Sequence, residues 1–516
     1  MKKLFLTFII ISCGFAAHAQ DFSPTITQQQ MYEDFDELIF ILENANPQLP
    51  VRKAVTGYNQ LDSAKLLRAR IDTIQDYYEF IMLCHLATNY MYDIHARMAT
   101  QCYNQCNDTT IDTEIINKIY TGYNRWLSET RERMGRTQSA YFPRNPAYID
   151  GDYYLSGVYV LTTKENDTLV LKNARIISYN NTPYSDYVKK NSHGTVHGGI
   201  RWDFKLNQYY SPGYSAFLRA GELVVENENG DIHAVNLNRY NSFSVLSQLS
   251  DTTLAHNNDL KYYDRLHRRE NRVLYFEKDK ILYLYLREME DLEYGTKVKE
   301  FGKDKEIDKI VIDVRGNVGG TDVVWHNLLK AIVADTLIYH PQMAFLNTEL
   351  MRKRSMTPDS IIEEKTFEWL PETEYFVRNL KPHYFVPDSN SLGYKGKIYV
   401  LQDDNVFSAG HSITSYCRHM EQLVSIGEPT GLLAGFGLAP FLFQLKNSKF
   451  SFLLEPVIDA TNVSSALDVY QDIPEIHIEF SFEEKLKYLD YRRFDVQNEN
   501  CLYKYDYLFK KVLELE

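Results

Sequence analysis

The chain has 516 residues, 44% of them hydrophobic and 24% charged. That is a globular composition, long enough for roughly two to four domains. A net charge of −13 argues against a general nucleic-acid binder, and the one basic cluster, RLHRREN at 265–271, is short enough to be a solvated face.

The first residues, MKKLFLTFIIISCGFAAHAQ, carry two lysines, an apolar stretch and the small-x-small site Ala17-His18-Ala19. They read as a secretory signal peptide over 1–19, of the kind found on bacterial exported proteins. The mature protein would then be periplasmic or extracellular. Processing at Cys13, with a lipid anchor there, is the competing reading. No other run is long enough for a membrane-spanning helix, so no membrane span is expected.

From 20 to 138 the pattern is helical: MYEDFDELIFILENANP places apolar residues at three- and four-residue steps and stops at Pro47. From 139 to 262 the chain changes to short β-rich runs such as DYYLSGVYVLTT and GELVVENENGDIHAVNL, broken by Asn, Asp and Gly turns. The 39 tyrosines, against 27 Phe and 4 Trp, suit amphipathic sheet packing. From 263 to 485 apolar strands (KILYLYL, KIVIDV, KIYVLQ, QLVSIGE) alternate with helical segments (DVVWHNLLKAIVA, SAGHSITSYCRHME), the mark of an α/β domain with a largely parallel sheet. FLFQLKNSKFSFLLEPV reads as a β-hairpin turning at Lys-Asn-Ser, and 486–516 as a helical tail.

Six cysteines are encoded, at 13, 84, 102, 106, 417 and 501. Loss of Cys13 with the signal leaves an odd number, too few for a disulfide scaffold. Cys102 and Cys106 could bridge each other or pair with Cys84 in an oxidising compartment. No Cys-x-x-Cys or His-Glu-x-x-His pattern occurs, and His193 and His197 lie among glycines, so neither a metal nor any other cofactor is expected.

Two loops have the composition of a reaction site at the carboxyl ends of parallel strands. In IDVRGNVGGTD, Gly316, Gly319 and Gly320 free the backbone after a strand, and exposed N–H groups there can stabilise an oxyanion. A phosphate loop would need a following Gly-Lys-Ser/Thr, which is missing. In NVFSAGHSITSYC, Ser408 stands where a strand turns into a helix, with the Ala409 N–H beside it. The competing role for Ser408 is a plain helix N-cap.

DVRGNVGG, FSAGHSITSY some ninety residues later, and then IGEPTG together resemble the catalytic domain of the carboxyl-terminal processing protease and tricorn-like serine peptidase family. MYDIHARM resembles the family's Asp-x-His motif, and ARIISYNNTPYSDYV its PDZ-like domain. The resemblance implies an α/β fold: a ClpP/crotonase-like catalytic domain with an N-terminal helical region and a small β-rich PDZ-like domain. It implies Ser408 as nucleophile and Ala409, Gly319 and Gly320 as backbone oxyanion donors. The branch that uses lysine as base has it near a Gly-Glu-x-Thr motif, but here GEPTGLLAGFG has none. The tricorn-like branch uses a histidine from the helical region, which makes His95 the base. Its acidic residue, in a Glu-x-x-Gly-x-x-Pro-Asp motif, falls on Asp468 of DVYQDIPE, where Gln471 and Glu475 depart from the pattern.

A serine hydroxyl needs a base because it is scarcely ionised at neutral pH, and a carboxylate fixes the tautomer of a histidine base. His411, three residues after Ser408, is a second candidate base. The activity expected is an exported serine endopeptidase acting on peptides or unfolded protein segments. The alternative is a catalytically inactive relative that holds peptides by strand addition through the PDZ-like domain and cleft. An α/β-hydrolase would need Gly-x-Ser-x-Gly and the order Ser, Asp, His, but Val406 stands two before Ser408 and the motif-supported histidine, His95, precedes the serine.

Overall fold

The computed structural model describes residues 24–101, 111–133, 146–162, 168–192, 200–211, 221–237, 242–246, 270–355, 362–379, 381–431, 440–491 and 499–515. The expected signal peptide, Cys102, Cys106, His193 and His197 lie outside these residues.

The organising element is a six-stranded sheet in the order Arg272–Phe276, Ile281–Tyr285, Lys309–Asp313, Ile398–Gln402, Leu423–Gly427, Ile476–His477. The first pair is antiparallel and the rest are parallel. Parallel strands buried on both faces read as continuous apolar runs, which is what KIVIDV and KIYVLQ are. Successive side chains go to opposite faces. Leu282, Leu284, Ile310, Ile312, Ile398 and Val400 enter the main core, while Ile281, Tyr283, Val311, Tyr399 and Leu401 enter a second one.

Leu508, Phe509 and Val512 of the helix Tyr507–Glu514 complete that second core. The tail is therefore a wall of the α/β domain, each of these side chains contributing about 1.5–3 kcal/mol by burial. The helix Phe482–Tyr491 runs across the boundary expected at 485. At the helix N-terminus Asp506 accepts from the Phe509 N–H, and the same carboxylate receives both terminal nitrogens of Arg315 at 3.0 and 2.7 Å. Arg315 is fully buried and also grips Asp313 through Nε and Nη2, at 2.8 Å each. Burial would lower its pKa, but the two carboxylates hold the guanidinium charged.

The helical region packs against this domain instead of standing apart. Asp34, buried in the helix Gln28–Ala45, accepts from the backbone N–H groups of Asn447 (2.9 Å) and Ser448 (2.6 Å). Those residues form the turn of the hairpin Phe441–Gln444 / Ser451–Leu454, so the Lys-Asn-Ser turn read from sequence is also a docking point. A two-residue strand, Arg97–Met98, joins the hairpin as its third strand. The β-rich region forms a separate sheet built on Asp152–Thr162 and Thr168–Tyr179, with its own core of Tyr153, Leu155, Leu171, Ile176 and Val225. The helix expected from Ser408 to Glu421 is shorter, Ala409–Cys417.

Truncating Asp506 to Ala leaves Arg315 paired with Asp313 but removes the acceptors of two buried guanidinium donors and the cap on the Phe509 N–H. The expected loss is about 3 kcal/mol of unfolding free energy, measured by urea denaturation, because buried charged donors left without acceptors are costly.

Candidate active site

The strands Lys309–Asp313 and Ile398–Gln402 are parallel neighbours, with Asp313 level with Leu401. Their following loops therefore leave the sheet at the same edge. Asp403 Oδ1 accepts from the Gly316 N–H at 2.8 Å, and the Phe407 N–H donates to the Asn317 carbonyl at 2.9 Å. Asn317 Nδ2 reaches back to the Leu286 carbonyl at 2.7 Å. The glycine loop and the serine loop are one hydrogen-bonded body.

Ser408 has φ 54° and ψ −128°, a conformation that costs a non-glycine residue about 1–3 kcal/mol. Its carbonyl accepts from the Ser412 N–H at 3.0 Å, starting the helix, but its hydroxyl makes no capping bond. The side chain is partly exposed. The N-cap role is thus filled by the backbone, and Oγ is left to other work. Gly319 lies directly against it: with φ +102°, a Cβ there would come 2.5 Å from Ser408 Cβ and 3.0 Å from both Oγ and the Ala409 nitrogen. Only glycine lets the two loops approach this closely. The Gly319 N–H itself donates to Asn317 Oδ1 at 2.7 Å, and its carbonyl accepts from the Met289 N–H at 3.1 Å.

His95 reaches this corner from the helical region. Asp93 Oδ1 accepts the His95 N–H at 2.9 Å, tightening the turn that the Asp-x-His pattern encodes. The strand Arg97–Met98 then pairs antiparallel with Ser451–Leu454, Arg97 opposite Leu453 and Met98 opposite Phe452. Two residues further along that register His95 stands opposite Glu455, and His95 Nδ1 lies 2.9 Å from Glu455 Oε2. The ring sits 4.6 Å from that of Phe407, the residue before Ser408, and Ile94 packs on Phe407 as well. Burial alone would lower the imidazole pKa. The hydrogen bond and charge of fully buried Glu455, helped by Asp93, outweigh it and raise the value. Burial likewise raises the Glu455 carboxyl, against the pull of His95.

Asp468 is not the carboxylate that contacts His95. Its Oδ2 accepts from the Ser464 N–H (3.0 Å) and Oγ (2.8 Å), and its own N–H donates to Ser465 Oγ at 3.2 Å. It lies in the first turn of the short helix Ala466–Tyr470, whose N-cap is Ser465. Glu455 is the residue that the motif spacing missed. Its one sequence signal is an isolated acid in the apolar run FSFLLEPVI. His411 is held elsewhere: Nε2 lies 2.7 Å from Asp472 Oδ2, while Arg418 reaches Oδ1 at 2.9 Å and Thr414 Oγ1 donates to Oδ2 at 2.9 Å. Burial would raise the Asp472 pKa, but Arg418 and His411 hold it far below the usual carboxylate range.

Beside the serine corner, at Phe407, opens a cleft of about 730 Å³ whose lining includes Ile94, Val318 and Phe407 together with Tyr148, Arg201 and Trp202 of the β-rich region. Among the described residues no group of three or more His, Cys, Asp or Glu could hold a metal ion.

Residues 280–452 match the model of Peptidase family S41. No curated protein matches the chain. Among solved structures, a mutant of CPAF is similar with a TM-score of 0.51 and 11% identity, over 90% of this chain and 96% of that one. Mature CPAF complexed with lactacystin gives 0.48 and 12% over 90% and 98%. The photosystem II D1 C-terminal processing protease gives 0.35 and 11%, also over 90% and 98%. At these identities the first likeness concerns the fold, and the other two carry no further argument.

In Glu455→Gln the acceptor charge at Nδ1 is gone and the burial penalty persists. The His95 imidazole, followed by NMR titration, is therefore expected to titrate at lower pH than in the parent protein. Asp472 has the opposite linkage. Its folded pKa is depressed, so its stabilisation is full above the unfolded carboxylate value of about 3.9 and is lost as pH falls toward the folded value. Asp472→Asn is expected to cost about 3–5 kcal/mol at pH 7, by denaturant titration, and to flatten the acid limb of the stability curve.

Proposed function

The chain belongs to peptidase family S41 and is a serine-type peptidase, and on that premise we propose that Ser408 is its nucleophile, His95 its general base and Glu455 the carboxylate that orients the base. The observation that carries this reading is the strained corner at Ser408, whose hydroxyl is spared from helix capping while the His95–Glu455 pair is packed on the preceding residue. A protein that only held peptides would gain nothing from that strain.

In the proposed reaction Oγ attacks the peptide carbonyl carbon as its proton passes to His95 Nε2. Glu455 accepts Nδ1–H and stabilises the imidazolium that forms. The oxyanion is received by the N–H groups of Ala409, at the head of the helix Ala409–Cys417, and of Gly320. The part of Gly319 is steric, since its own N–H is held by Asn317. Collapse of the tetrahedral species breaks the C–N bond, and His95 returns the proton to the leaving amine. Water then hydrolyses the acyl-enzyme by the same route.

His411 suits the base role less well because its Nε2 faces Asp472. The six-stranded sheet supports a ClpP/crotonase-like reading of 263–485, and the separate sheet around Asp152–Thr162 supports a PDZ-like reading of 139–262. Substrates are proposed to be peptides or unfolded protein segments, met outside the cytoplasm if residues 1–19 act as a signal peptide. No helix of the described residues is long and apolar enough to cross a membrane.

Incubation with a peptide mixture, read by mass spectrometry, tests the assignment. Ser408→Ala and His95→Ala are expected to lose about 10⁴-fold or more in kcat, and Glu455→Gln about 10²- to 10⁴-fold, whereas Asp468→Asn stays near the parent rate. Undiminished cleavage by His95→Ala would transfer the base role to another residue. Undiminished cleavage by Ser408→Ala would end the nucleophile assignment.

A further inference from the structure

The cleft beside Ser408 contains three cations and three carboxylates, and their pairing is uneven. Arg201 is buried and bound to Asp404, with Asn405 Oδ1 on its other terminal nitrogen at 3.0 Å. Lys485 is bound to Glu428. Asp403 accepts from the backbone N–H groups of Gly316 and Asn405. The third cation, Arg287, also lines the cleft, and among the described residues no carboxylate neutralises it. Among the described residues its guanidinium makes one hydrogen bond, Nη1 to the Arg315 carbonyl at 3.1 Å, which leaves most of its N–H donors open there.

The fold holds Arg287 there deliberately. Its own N–H and that of Glu288 both donate to Asn271 Oδ1, at 2.8 and 3.1 Å, fixing the chain just beyond the strand Ile281–Tyr285. Gly316, at φ +70°, makes room for the side chain, because a Cβ at that position would overlap Nη1. The guanidinium thus lies over the start of the same loop that presents Gly319 to Ser408. Val318, between them, is 67% exposed and lines the same cleft.

We propose that Arg287 is a specificity-determining residue that receives a substrate carboxylate in the cleft beside Ser408. A half-buried guanidinium with a fixed backbone and open donors is matched by a planar, anionic acceptor with two oxygens. The carboxylate is either the substrate's C-terminus or an acidic side chain near the scissile bond, and both present the same chemistry. This inference rests on the assignment of Ser408 and its cleft as the peptidase site.

The test uses one randomised decapeptide pool in three forms. The first has neutral side chains and a free C-terminal acid, the second the same side chains with a C-terminal amide, and the third the amide with a single Glu. Cleavage by the full chain is read as relative kcat/KM, with kcat and KM separated. Binding of each pool to Ser408→Ala is measured as Kd, so that the inference is read even if turnover is absent. The parent is expected to favour one acid-bearing pool over the neutral amide by about tenfold to a hundredfold, the scale of one charge-assisted pair. The first pool winning identifies the terminus, and the third an acidic side chain. In Arg287→Gln that ratio collapses toward one, mainly through KM, and Arg287→Lys restores it in part. Equal treatment of all three pools by the parent, or an unchanged ratio in Arg287→Gln, overturns the proposal. Absent cleavage together with a carboxylate-dependent Kd that Arg287→Gln abolishes would sink the peptidase assignment of Ser408 while keeping the carboxylate site.

Discussion

Two residues of β-structure hold the candidate site together. The pairing of Arg97–Met98 with Ser451–Leu454 is short, yet its register decides which side chain of the helical region faces which of the α/β domain. Because side chains alternate along a strand, a slip of one residue would turn His95 away from Glu455 and replace it with Ile94 or Ala96. The hairpin that receives this strand is itself pinned at its turn by Asp34. The helical region is therefore part of the candidate site, although the strands bearing Ser408 and the glycine loop lie far away in sequence.

A second constraint runs from the opposite end of the chain. Asp506, in the C-terminal segment, holds Arg315, and Arg315 immediately precedes the loop Gly316–Gly320. The loop is thus fixed at its root by buried charges and along its length by Asp403 and Asn317. Such preorganisation is what a developing oxyanion requires, since donors that must reorganise during reaction stabilise charge poorly. The strain at Ser408 is sustained by the same framework, the Phe407 N–H being tied to the Asn317 carbonyl.

The aspartate of DVRG and the histidine of FSAGHS show how a sequence pattern can mark structure and chemistry together. Asp313 serves the buried Arg315 network and His411 the Asp472 network, each satisfying a charge that would otherwise be costly to bury. Asp468 belongs with them: it lies close to where a motif would want an acid, but serine hydroxyls and a helix end claim it.

Local pattern was enough to mark the alternation of strand and helix from 280 onward, the hairpin at Lys-Asn-Ser, the exposed corner at Ser408 and the glycines that allow close approach. These depend on periods of two and 3.6 residues and on φ values that a few neighbours dictate. The Asp-x-His turn singled out His95, but nothing local could name its partner. Glu455 meets His95 through a contact between residues 360 positions apart, set by strand register, and an acid in an apolar run looks the same whether it is paired or not. The tail's role as a wall of the sheet was hidden for the same reason, because amphipathic residues 507–514 do not say which face they cover. The sequence by itself determined most of the elements and the residue types of the candidate site. The tertiary structure decided which charges meet, because burial and pairing are properties of surfaces brought together and not of the segments that carry them.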